Sequence, residues 1–159
     1  MPGARILLVE DDEVLRDVLQ RNLRARGHEV RLAMDAQTAL AQLRVAVFDL
    51  IVLDINLPDQ TGWDILRIAL KEGRLHLQEI DGNTQKLPVV VISAVRVSPH
   101  RLEEFHILAY LPKPFPLEAL LRLAAEAAQR RNAGGLNGNQ ALASAGLPDP
   151  AFHEEDLYA

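Results

Sequence analysis

The 159-residue chain contains no cysteine, which excludes a disulfide framework, thiolate metal or iron–sulfur sites, and a cysteine nucleophile. It also lacks a basic excess, with 17 Lys and Arg against 22 Asp and Glu. All the cations precede Asn132, whereas Asp149, Glu154, Glu155 and Asp156 follow it. The body is therefore nearly neutral and the C-terminal stretch acidic, which offers no electrostatic footprint for nucleic acid or an anionic lipid surface. No run approaches the about 18 apolar residues of a membrane span. The start, MPGARILLVEDD, turns acidic too soon for a secretory segment. The expectation is a soluble, cytoplasmic protein with no nucleic-acid partner and no membrane partner.

What is present is a composition 48% hydrophobic and 25% charged, enough to bury a single core. Apolar runs at residues 6–9, 48–53 and 89–92, with shorter ones at 29–33 and 109–111, read as strands covered on both faces. Between them lie helical patterns. Val14, Leu15, Val18, Leu19 and Leu23 form the first, closed by Gly27; Ala36, Ala39, Leu40 and Leu43 form the second, opened by the N-cap Asp35. Trp63, Leu66, Ile68 and Leu70 mark a third, Ser98 and Pro99 open a fourth, and Leu117, Leu120, Leu121, Ala124 and Ala128 mark a fifth. Five strand–helix units predict an α/β fold, a doubly wound five-stranded parallel sheet flanked by five helices.

Two segments break the pattern. Residues 73–86, around Asp81-Gly82-Asn83, read either as a β-hairpin insert or as an extension of the third helix. Residues 132–159, rich in Gly and Pro, read as a flexible acidic tail after a folded domain at 1–131. The tail's Phe152, Leu157 and Tyr158 read as docking on the protein's own surface or a second subunit, with basic Arg96, Arg101 and Arg122 as candidates, as a short recognition segment that orders on binding, or as having no role.

The chemistry gathers at strand ends. The first strand runs into Glu10, Asp11 and Asp12, the third into Asp54. In an open α/β sheet the binding crevice lies beyond the carboxyl ends of the strands, so neighbouring first and third strands would bring these acids together. Clustered carboxylates raise one another's pKa unless a cation is supplied, and hard oxygen ligands suit Mg²⁺. Ser93 follows the fourth strand and Lys113 the fifth. A hydroxyl and an ammonium beside an acidic metal site suit a transferred phosphoryl group, with Asp54 as nucleophile. Asp12 reads instead as the N-cap of the first helix, and Trp63 as packing against the sheet. On the first helix, the Leu15, Val18 and Leu19 stripe is wide enough to leave one member free for a partner. None of His28, His76, His100, His106 and His153 sits at metal spacing.

This constellation resembles the response-regulator receiver domain over about residues 4 to 131. The resemblance rests on Glu-Asp after the first strand and Leu-Asp-Ile-Asn-Leu-Pro-Asp with Gly62 beyond it. Ser-Ala after the fourth strand and Lys-Pro-Phe after the fifth complete it. It implies a flavodoxin-like strand order 2-1-3-4-5 and a cis bond before Pro114. It also implies Mg²⁺ held by Glu10, Asp11, Asp54 and the Asn56 backbone carbonyl, with Asp54 as phosphoacceptor. Ser93 and Lys113 would contact the phosphoryl group, and Ser93 and Tyr110 would act as switch residues. The implied function is a single-domain response regulator, a switch rather than a turnover enzyme, phosphorylated by a sensor histidine kinase or phosphotransfer protein. It would then bind a downstream protein, relay the phosphoryl group, or form a homodimer through the face of helix four, strand five and helix five. The alternatives are a receiver-fold interaction or dimerisation module working without phosphorylation, and a Mg²⁺-dependent aspartyl phosphatase, which Asn56 in place of a second Asp disfavours. Two departures stand out: a long segment between Asp54 and Ser93, and His-Ile-Leu-Ala where the family usually has Gly-Ala before the fifth strand.

Overall fold

Along the chain the elements are β1 (Arg5–Val9), α1 (Glu13–Ala25), β2 (Glu29–Ala33), α2 (Ala36–Val45), β3 (Leu50–Asp54), α3 (Gly62–Lys71), β4 (His76–Ile80), β5 (Asn83–Lys86), β6 (Val89–Ser93), α4 (Pro99–Glu104), β7 (Ala109–Pro112) and α5 (Leu117–Ala133). They come from a computed structural model that describes residues 2–80 and 83–133. The main sheet is parallel, in the order β2-β1-β3-β6-β7. With β4 and β5 set aside, this is the 2-1-3-4-5 order that the resemblance implied. The acidic tail from residue 134 on and its proposed docking lie outside the described residues, as do Asp81 and Gly82; Asn132 and Ala133, expected in the tail, are instead the last residues of α5.

Strand side chains alternate between faces, and both faces are covered. Leu7, Val9, Ile51 and Leu53 point into one core with α2, α3 and Leu102 of α4. Ile6, Leu8, Leu50 and Val52 point into the other with α1 and α5. Double coverage is why the strands read as unbroken apolar runs. Phe48 is buried, but β3 begins at Leu50; ahead of it the Asp49 carboxylate accepts the Arg5 amide (2.7 Å) and the Asp49 amide donates to Arg5 O (2.7 Å). Helix starts follow their caps: Asp12 accepts from Leu15 N, Asp35 from Thr38 N, and Thr61 forms a reciprocal capping box with Asp64. Among the described residues no helix is long and apolar enough to cross a membrane.

β4 and β5 pair antiparallel, as an insert rather than a prolongation of α3. Gly73, at φ 71°, ends α3 in a left-handed turn, with Gly73 N on Leu70 O and Arg74 N on Ala69 O. Buried Leu75 and Leu87 close the hairpin's root, joined by Leu87 N to Leu75 O (2.9 Å). The fourth helix opens at Ser98 and Pro99 as expected, yet it is only six residues long. His106 stops it at φ 52°, its amide on Glu103 O and the Ile107 amide on Leu102 O. This is the same terminal motif with a side chain where glycine normally sits.

Candidate functional site

Parallel register sets the site. Val9 pairs with Leu53, Asp54 with Ile92, and Ser93 with Pro112, so β1, β3, β6 and β7 end at one edge. Glu10 is fully buried there, Asp54 is 3% exposed, and Asp11 faces solvent. Carboxylate oxygens of the three lie within 4.8 Å of one another. Lys113, just past β7, places Nζ 3.0 Å from Asp54 Oδ2 and 2.8 Å from Glu10 Oε2. The Lys113–Pro114 peptide is cis, as the resemblance implied. Ser93 is buried at the end of β6, its carbonyl accepting the Lys113 amide (2.8 Å).

Electrostatics mark this edge as unbalanced. Burial pushes the Glu10 carboxyl up to about 7. Lys113 and the Asp12 amide pull against that rise, while the Asp54 charge adds to it. Burial alone would lower the Lys113 ammonium, but its bonds to Glu10 and Asp54 outweigh it and hold the group above the ordinary lysine value. Glu10 and Asp54 thus share one cation, with Asp11 clustered beside them. Glu10 Oε2 has the Lys113 ammonium, itself shared with Asp54, as its ion-pair partner at 2.8 Å, which leaves a buried carboxylate with capacity for another cation. The donor set is all hard oxygen, open to water on the Asp11 side, and so fits Mg²⁺.

The loop after β3 is tightly shaped. Asn56 N donates to Asp54 Oδ1 (3.0 Å), Asn56 bridges Thr61, and Gly62 N donates to Ile55 O (2.8 Å). A Cβ on Gly62 would stand 2.7 Å from Asp54 O, so only glycine lets α3 start this close to β3. Tyr110 is buried outside the carboxylate cluster, its hydroxyl donating to Val95 O (2.8 Å), and burial pushes the phenol pKa up. Ser93 Oγ accepts from Val95 N (3.1 Å). The two expected switch residues therefore meet through one residue, Val95.

Several features were not legible in sequence. Arg16 Nη1 donates to the carbonyls of Glu10 (3.0 Å) and Asp11 (3.3 Å), pinning the acidic turn; in sequence it is an ordinary helix cation. Trp63 lies beside the core as expected, but its ring stacks on Phe105 at 5.6 Å and 17° rather than simply on the sheet. Asp12 caps α1 and takes no place among the clustered acids. His28 is buried, with Nδ1 accepting the Ala4 amide (3.0 Å), while His100 and His106 are exposed. On α1, Leu19 is buried and Val18 is 44% exposed. With Leu15, Pro114, Phe115 and Leu117 they line an apolar groove of about 370 Å³ that reaches Lys113.

Comparison with known proteins agrees with this geometry. The model of the response regulator receiver domain matches residues 6–125. The DNA-binding transcriptional regulator NtrC of Bradyrhizobium is 33% identical over 80% of this chain and 25% of its own length. The response regulator MprA of Mycobacterium tuberculosis is 34% identical over 75% of this chain and 48% of its own length. The chain thus spans a quarter to about half of these curated relatives. Among solved structures, a CheY-like receiver domain from Methanospirillum hungatei superposes with a TM-score of 0.67, at 26% identity, over 82% of this chain and 98% of that one. The chemotaxis response regulator CheY4 of Vibrio cholerae gives 0.66 at 26% identity over 79% and 98%. Acids, hydroxyl and lysine at four strand ends of this sheet, matched by the family's own model, place the chain in the response regulator receiver domain family, the phosphoacceptor modules of two-component signalling.

Proposed function

We propose that Asp54 accepts a phosphoryl group from a sensor histidine kinase or phosphotransfer protein. The change would switch the affinity of a downstream protein or be relayed onward, in the cytoplasm. The observation that carries this reading is Lys113 Nζ held between Asp54 and Glu10 at the ends of three neighbouring or near-neighbouring strands. Glu10, Asp11, Asp54 and the Asn56 carbonyl would hold Mg²⁺, which when bound neutralises charge on the transferring phosphoryl oxygens.

The residues of the chain divide the work. The Asn56 amide fixes the Asp54 carboxylate through Oδ1, and a carboxylate oxygen of Asp54 attacks phosphorus as the bond to the donor breaks. Lys113 takes a phosphoryl oxygen, and the Ser93 hydroxyl takes another once it leaves Val95 N. Because Tyr110 holds the carbonyl of the same Val95, that exchange would reach β7 and hence the face of α4, β7 and α5, the proposed output and homodimer surface. The apolar groove of Leu15, Val18, Leu19 and Phe115 opens beside Lys113 and supports docking of the phosphodonor there. With Asn56 two positions after Asp54, the chain lacks the Asp-x-Asp pair of aspartyl phosphatases, which supports a switch over an enzyme. The receiver unit is assigned to 1–131 with the β4–β5 hairpin as its insert. A module working without phosphorylation would have no use for a buried Glu10 and Asp54 sharing a single lysine.

Incubation with acetyl phosphate and Mg²⁺ followed by intact mass tests the proposal. A gain of one phosphoryl group, lost in Asp54→Asn, is the expected result. A wild-type protein that binds Mg²⁺ and gains nothing would overturn it.

A further inference from the structure

The loop that carries Asn56 is held from two directions. On its near side the backbone closes it, through the Asn56–Thr61 bridge and Gly62 N on Ile55 O. On its far side the hold comes from Asp59, whose carboxylate reaches out of the loop to a different element. Oδ1 accepts from Ala36 N (2.9 Å) and Oδ2 from Gln37 N (3.1 Å), while Gln60 N also donates to Oδ1 (3.0 Å). Ala36 and Gln37 are the first two residues of α2.

A helix begins with amides that have no partner within the helix. At α2 the third such amide, Thr38 N, is taken by the adjacent N-cap Asp35 at 2.7 Å. That local cap would suffice for an ordinary helix start. Here the first two amides are instead given to a residue more than twenty positions downstream, in the loop after the proposed phosphoacceptor. These amides, that of Ala36 foremost, hold the Asp59 carboxyl below the usual carboxylate range although it is solvent-exposed. Asp59 therefore stays ionised and bonded at neutral pH.

We propose that Asp59 is a positioning residue for the metal and phosphoryl site. By hooking the tip of the 55–60 loop onto the start of α2, it holds the Asn56 carbonyl where a bound Mg²⁺ would take it. The inference rests on the reading of that carbonyl as a ligand. It carries a reciprocal consequence: if Asp59 couples α2 to the ion, then the ion must in turn tighten the start of α2.

The test uses the full chain and Mg²⁺ alone, with affinity read by isothermal titration calorimetry and the Ala36 and Gln37 amides by hydrogen exchange. Asp59→Ala should weaken Mg²⁺ binding about fivefold, the effect of one lost capping interaction. It should also abolish the Mg²⁺-induced slowing of exchange at Ala36 and Gln37 that the wild type shows. Asp59→Asn keeps an acceptor oxygen and should recover part of both effects. If Asp59→Asn is as weak as Asp59→Ala, charge alone is responsible and the hook is overturned. Asp35→Ala removes the other cap of the same helix and should lower stability without changing Mg²⁺ affinity; equal weakening there would reduce the effect to helix stability and also overturn the proposal. A wild type with no Mg²⁺ affinity would instead remove the metal site itself, a failure distinguishable from the others because it precedes any effect of Asp59.

Discussion

The two ends of the sheet handle polar groups in opposite ways. At the carboxyl end Glu10, Asp54 and Ser93 are buried, and Glu10 and Asp54, clustered with Asp11, share one ammonium, that of Lys113. At the amino end most polar contacts are closed within the chain, the buried Arg130 Nη2 being an exception. Asp49 accepts the Arg5 amide, His28 accepts the Ala4 amide, and Arg131 donates to Gly3 O (3.0 Å) while facing Asp49 at 3.6 Å. One end is tied off by its own chain, whereas the other holds excess negative charge that its own chain does not neutralise. Such an imbalance is destabilising in isolation and marks where a ligand is to be received.

The largest expected contrast is chemical. Asp54→Asn should lose the phosphoryl gain entirely in the mass assay while keeping a wild-type circular dichroism spectrum, since an amide cannot act as the nucleophile. A variant labelled at the wild-type rate would move the acceptor elsewhere and break the comparison. Next, within the carboxyl end, Asp11→Ala should weaken Mg²⁺ binding by at least about tenfold, measured by calorimetry. Lys113→Ala should retain Mg²⁺ binding but weaken the response of the Tyr110 region to phosphorylation, followed by the chemical shifts of β7. Equal loss of Mg²⁺ affinity in both variants would contradict the division between acids for the ion and lysine for the phosphoryl group.

The ends should also respond oppositely to pH. Glu10 has its folded-state pKa raised to about 7 from 4.5. In the metal-free protein its contribution to stability is therefore full below about 4.5 and is lost as pH rises through about 7. His28 is lowered from 6.5 by burial, with Arg26 adding to it. Its contribution is therefore present above 6.5 and lost as pH falls below that value. Urea unfolding across this range should show Glu10→Gln removing the first trend and His28→Gln the second. If either substitution leaves its trend untouched, the assigned group is not its source.

The smallest expected effect is at the amino end, where α4 stops at His106 with φ 52°. A non-glycine residue in that region is strained by about 1–2 kcal/mol. His106→Gly should therefore stabilise the protein by about 1 kcal/mol in chemical denaturation, with phosphorylation of Asp54 unchanged. A destabilised His106→Gly would mean that the imidazole makes contacts worth more than the strain it bears.

Much of the frame was readable residue by residue. Five apolar runs, the caps Asp12, Asp35 and Ser98, and acids following strands are short-range features, because strand burial and helix capping depend on neighbours within a few positions. With a parallel order granted, they also foretold the meeting of Glu10, Asp11 and Asp54 with Lys113. The boundary at Phe48 was misread because burial and strand membership look alike in a hydrophobic run.

What tertiary structure alone decided concerns residues whose partners lie far along the chain. Whether residues 73–86 made a hairpin or more helix turned on Gly73 adopting a left-handed conformation and on Leu75 meeting Leu87. The place of Asp59 on α2, of Arg16 on the carbonyls of the acidic turn, and of Trp63 on Phe105 had no local signal, since an exposed Asp, a helix Arg and a helix Trp each have several satisfactory local fates. Sequence by itself determined which groups would stand at the sheet's carboxyl edge. Only packing decided that Glu10 would be fully buried and its carboxyl pushed up, because desolvation is a property of everything that surrounds a group rather than of the residues beside it.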